Sequence, residues 1–185
     1  MKPISTCIPY LLVPLLLLVT PAVMSAPDPT LSRALTLKNH GGVQLKVPEW
    51  KASRTDDAVA VLERTGGQSR GGFFTLIMAV EEGPSKVEVI DWDVVRQNIL
   101  SAAKGAGSNL TLESLGDWTG ADSFKGHRFK GTMRRGERDV AVEMVALMAS
   151  GVMLTITSLG SPGDETLASV AESVAKTAVR PLAVP

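Results

Sequence analysis

From Val152 to Ser158 the chain alternates, with Val152, Leu154 and Ile156 pointing one way and Met153, Thr155 and Thr157 the other. A period of two marks a β-strand with one face in an apolar core. Immediately upstream, Asp139 to Ala149 reads as a second apolar strand, and Phe124 to Gly136 as a glycine-punctuated basic hairpin leading into it. Connections this short force antiparallel pairing, so the centre of the fold is an antiparallel sheet.

The rest of the chain supplies more strands and two helices. Ala34 to Lys38 and Val43 to Val47 are short strands around Asn39-His40-Gly41-Gly42, a turn signal, and the second ends at Pro48 with Trp50 on the corner. Ala58 to Arg64 and Phe73 to Glu81 follow, joined by a loop from Gly66 to Gly72 too rich in glycine to pack. A phosphate cradle there would need a helix or Gly-Lys-Ser/Thr after it, and neither follows. Asp91 predicts an N-cap, and Trp92, Val95, Ile99, Ala102 and Ala103 recur at helical spacing until Gly105. Asn109 to Trp118 is a further strand. Ser161-Pro162 opens a last helix with the stripe Leu167, Val170, Ala171, Val174 and Ala178, stopped by Pro181. Helices with one apolar stripe must lie on a sheet face. The expected fold is therefore α+β, an antiparallel sheet of about seven to eight strands flanked by two main helices in an α/β/α sandwich.

The first 25 residues read as a signal peptide: Lys2 is the positive end, Ile8 to Val19 the apolar run, and Ser25 and Ala26 the small residues at the cleavage site. The apolar run is interrupted by Pro14 and falls short of the roughly 20 residues of a membrane span. Its removal from 185 residues leaves 160, enough for one domain with its own core, expected over residues 34–181 after a flexible lead-in at 26–33. The single cysteine, Cys7, leaves with the signal, which excludes disulfides and thiol chemistry. An exported domain stabilised by its core alone suits a bacterial periplasm first and a secreted protein otherwise. Without Lys2, 18 basic residues face 19 acidic ones, too even a balance for a nucleic-acid partner.

The candidate binding residues are Lys125, His127, Arg128, Lys130, Arg134 and Arg135 of the basic hairpin. They suit an acidic envelope partner or the anions of a membrane or cell wall, and equally a solvated edge whose charges oppose aggregation. His40 and His127 are the only histidines, both expected at the surface, and their spacing suggests no metal. Ser101 with Lys104 and Ser173 with Lys176 spell Ser-x-x-Lys, but the companion motifs of that chemistry are missing. Trp50, Trp92 and Trp118 are expected to anchor helices to the sheet. No catalytic residue, metal or cofactor is expected. A hydrolase would require a serine or carboxylate within reach of His127 or His40.

Val47-Pro48-Glu49-Trp50 closing a first strand pair, one mid-chain helix, and Gly151 to Ser158 followed by the Ser161 to Val179 helix together resemble the PsbP-like/DcrB-like superfamily. The resemblance covers nearly the whole exported chain through element order. It implies an antiparallel sheet between helices and a non-catalytic binding or assembly module for an envelope protein complex. A carrier of a small molecule or lipid, using a cleft between sheet and helix, is the alternative.

Overall fold

The structure, a computed structural model, describes residues 30–64, 73–85, 90–121 and 124–180. The expected signal peptide, the first part of the lead-in and the Gly66 to Gly72 loop lie outside the described residues. In chain order the elements are β1 (Leu31–Leu37), β2 (Val43–Pro48), β3 (Lys51–Thr55), β4 (Val59–Glu63), β5 (Phe74–Glu82), α1 (Trp92–Gly105), β6 (Thr111–Trp118), β7 (Lys125–Arg135), β8 (Arg138–Ala149), β9 (Val152–Gly160) and α2 (Thr166–Ala175). Strands β3 to β9 form one seven-stranded sheet in the order β3-β4-β5-β9-β8-β7-β6, and β1 pairs with β2 in a separate hairpin. Every ladder is antiparallel. This is the α+β sandwich that the alternation and the two amphipathic helices imply.

Alternation along β8 and β9 assigns the layers. Val145, Leu147, Val152, Leu154 and Ile156 bury one face of the sheet against Leu167, Val170, Ala171 and Val174 of α2 and against Leu37, Val43, Leu45 and Val47 of the hairpin. Met144, Ala146, Phe129 and Leu159 turn to the other face, where Trp92, Ile99 and Leu100 of α1 pack. The hairpin is held in place by the chain after α2: Gln44 and Val179 exchange backbone hydrogen bonds of 2.9 and 3.0 Å, and the Lys46 amide donates to Thr177 Oγ1 at 2.8 Å.

Helix α1 begins where its cap residue dictates, with Asp91 Oδ1 accepting from the amides of Asp93 and Val94 at 3.0 and 3.2 Å. Its end differs from expectation. Gly105 remains helical and Gly107, at φ +76°, makes the left-handed exit.

Two other expectations are corrected, and one strand lies where none was expected. Residues 31–33, placed in the flexible lead-in, already belong to β1, because Leu31 and Arg33 pair with Pro48 and Val47. Lys51–Thr55 is a strand that its polar sequence conceals: β3 is a sheet edge, exposed at every position, so no alternation is selected there. The basic segment is also not a hairpin in itself. It forms one long strand, β7, and the turn to β8 lies at Gly136, φ +64°, and Glu137. Gly126 and Gly131 serve close approach rather than turning: a Cβ at Gly131 would overlap the Thr111 carbonyl, and one at Gly126 would stand 2.7 Å from the Trp118 ring.

These glycines predict two different penalties. Gly131→Ala should cost about 2–3 kcal/mol by forcing β6 away from β7. Gly136→Ala, which has open space around its Cβ but keeps a positive φ, should cost about 1 kcal/mol. Urea denaturation of both variants checks the order.

Candidate functional site

Strand β6 carries a bulge between Ser114 and Gly116, where the β6–β7 register shifts. On a regular strand residues 114 and 117 would point to opposite faces. The shift bypasses Leu115, so that Ser114 lies opposite Phe129 and Asp117 opposite His127, all on the α1 face. Gly116 meets the backbone demand of the bulge at φ +104°, a conformation other residues rarely adopt.

His127 occupies the space between the two re-aimed side chains. It is 6% exposed, contrary to its expected surface position. Its Nδ1 lies 3.0 Å from Asp117 Oδ1 and its Nε2 lies 2.7 Å from Ser114 Oγ. A carboxylate only accepts, so Nδ1–H donates to Asp117, and in the tautomer this fixes Nε2 is the nitrogen that can accept from the Ser114 hydroxyl. Trp92, the first residue of α1, stacks on the imidazole with centroids 5.0 Å apart and planes at 22°. Phe129 supports it from beside at 4.8 Å. The ring is thus fixed by two hydrogen bonds and two aromatic contacts, while the Ser114 and Asp117 ends are exposed. The structure therefore supplies both the serine and the carboxylate that a hydrolase would require near His127. His40 stands apart in the β1–β2 turn at φ +52°, and among the described residues no cluster of three or more metal-ligating side chains occurs.

The six basic-strand residues do not form one surface. His127 is buried toward α1. Arg128 and Lys130 point to the α2 face, where Arg128 Nη1 meets Glu172 Oε1 at 2.9 Å and Lys130 Nζ lies 3.5 Å from Glu113 Oε2. Lys125 pairs across from Met148 near the other end of the strand. Arg134 and Arg135 are exposed in a different setting. The β6–β7 ladder starts at Thr132 and the β8–β9 ladder at Ala141, whereas β7 and β8 stay paired out to Arg135 and Arg138. Residues 133–140 therefore extend past both neighbouring strands as a two-stranded tongue, with Arg134, Arg135 and Arg138 exposed on it beside Glu137 and Asp139.

A cleft of about 410 Å3 opens elsewhere on the α1 face. Ile90, Val94, Met148 and Met153 give it apolar walls, and Glu81 and Glu82 lie on its rim.

No known protein-family profile matches the sequence, and no curated protein matches it. Solved structures do. LpqN of Mycobacterium tuberculosis, described as involved in cell envelope biogenesis, superposes with a TM-score of 0.50 at 16% identity, covering 80% of this chain and 90% of LpqN. PA94 of Pseudomonas aeruginosa, a protein of unknown function and putative regulator, gives a TM-score of 0.41 at 13% identity, over 72% of this chain and 86% of PA94. A protein of Bacteroides thetaiotaomicron gives 0.49 at 10% identity over 76% of this chain, which spans only 46% of that protein. The likeness to LpqN is one of fold. Among the described residues no helix is long and apolar enough to cross a membrane.

Glu143, half-buried beside Arg128 and Lys130, has its carboxyl pushed above the usual range chiefly by burial and secondarily by Glu172, with Lys130 and Arg128 opposing. The folded protein therefore holds this proton more tightly than the unfolded chain, and stability falls as pH rises through the range above the ordinary carboxylate value. Glu143→Gln removes that penalty. Its stability relative to wild type should increase as pH rises above the ordinary carboxylate range, as read by thermal melts at each pH.

Proposed function

We propose that this chain is an exported envelope protein with a PsbP-like/DcrB-like domain, acting as a binding and assembly module that meets an acidic surface of a partner complex. The observation that carries this reading is the arginine-tipped tongue. Three guanidiniums outnumber two carboxylates on a hairpin tip that neither flanking strand covers. Such a projection reaches a partner without rearrangement of the sheet, and arginine suits bidentate pairing with carboxylates or phosphates. Arg128 and Lys130 take a lesser part, since Glu172 and Glu113 already pair with them. The role LpqN holds in cell envelope biogenesis and the signal-like N-terminus agree with a site of action outside the cytoplasm. Binding and assembly require no chemistry of this surface.

A second reading rests on the cleft beside α1. Its volume and its pairing of apolar walls with acidic rim suit a small amphiphilic ligand carrying positive charge.

A crosslinking pull-down from native envelope separates the two. The exported chain should recover a defined set of proteins, Arg134→Ser/Arg135→Ser/Arg138→Ser should lose them, and Arg128→Ser/Lys130→Ser should keep most of them. Recovery by the wild type should also fall as salt rises, because exposed charges are screened. Equal recovery by the triple variant overturns the tongue reading and turns attention to the cleft.

A further inference from the structure

We propose that Ser114, His127 and Asp117 form a nucleophilic site that cleaves carboxylic esters by acyl transfer, an activity beyond the binding role of the tongue. The spacing is that of an activated hydroxyl: serine Oγ 2.7 Å from Nε2 and carboxylate Oδ1 3.0 Å from Nδ1 of one imidazole. Two features argue for more than a satisfied core histidine. A bulge, with its glycine at positive φ, is what brings Ser114 and Asp117 to the same face, and bulges re-aim side chains at functional sites. The imidazole is also held on its face and flank by Trp92 and Phe129, while the hydroxyl it would activate stays open to solvent.

The chemistry balances with water as the only co-reactant. Ser114 Oγ attacks the ester carbonyl while His127 Nε2 takes the hydroxyl proton. The C–O bond to the alcohol then breaks, and the leaving oxygen takes that proton from Nε2. Water attacks the acyl-serine, giving a proton to Nε2; collapse returns it to Oγ and releases the carboxylic acid. Asp117 is a positioning residue: it holds Nδ1–H, fixes the tautomer and stabilises the imidazolium. Ser114 lies on an exposed edge strand, so the substrate class is an ester displayed on a large molecule or an assembly rather than one enclosed in a pocket.

The test treats the exported chain with a fluorophosphonate probe and, separately, with p-nitrophenyl butyrate. The expected result is a single phosphonylated residue, Ser114, found by peptide mass spectrometry, together with ester turnover. Ser114→Ala should abolish labelling and lower turnover at least about a hundredfold, whereas Ser101→Ala, an exposed helix position, should leave both intact. His127→Gln risks the packing beneath Trp92, so Asp117→Asn, an exposed substitution, serves as the second variant. It should slow labelling and alter its pH profile, with Asp117→Glu restoring part of the rate. Absence of labelling in the wild type, or labelling that persists in Ser114→Ala, overturns the proposal and leaves the three residues as a hydrogen-bonded brace for Trp92.

Discussion

The structure depends on the burial of β8 and β9 on both faces. Both strands sit inside the sheet, and from Val140 onward they carry apolar or small residues on each side with Glu143 the exception, so neither face can be left to solvent. Burying a side chain such as Leu147, Leu154 or Ile156 contributes about 2 kcal/mol each, and those contributions exist only if separate layers close over the sheet. Helix α2 and the β1–β2 hairpin share one face and α1 takes the other. The division has a consequence for function. The α2 side is filled by a large apolar cluster, while α1 covers its face less completely, and the His127 constellation and the cleft both lie there.

The two edges of the sheet are handled alike. Strand β3 has a register shift between Ala52 and Arg54, and β6 has one between Ser114 and Gly116. Bulges at edges oppose pairing with another chain's strand. On β3 the edge is otherwise polar and exposed. On β6 the same distortion brings a serine, a histidine and a carboxylate into one hydrogen-bonded row, so a single irregularity both protects the edge and organises the most polar cluster of the α1 face.

Most of the fold was legible in the sequence because core strands and helices leave periodic traces. The β9 alternation, the Asp91 cap and the α2 stripe are each the direct imprint of burial or of an unpaired backbone amide. Strand β3 left no trace because an exposed edge selects for no pattern. The basic segment from Phe124 to Gly136 reads as a hairpin because glycines punctuate it, but two of them, Gly126 and Gly131, answer to the bulk of Trp118 and the backbone of Thr111 on the neighbouring strand. The cluster at His127 was hidden by parity. Ser114 and Asp117, three apart, belong to opposite faces of any regular strand, and the one available signal was Gly116 inside a strand-like segment, which marks a bulge. Of the basic residues, charge was visible in sequence, but which of them are already paired depends on Glu172 and Glu113, which only the folded chain brings near.

The bridge between Gln44 and Val179, with Lys46 bonded to Thr177 across 131 positions, ties an early hairpin to the segment beyond α2. One face of the core therefore stays open until residue 179 is available to close it. Contacts this distant in sequence form slowly, since a long loop must be closed before they repay the lost entropy. Synthesis alone cannot complete such a molecule from its front end. For this hairpin the order of synthesis and the order of closure run opposite ways: its two strands are made first and seated last.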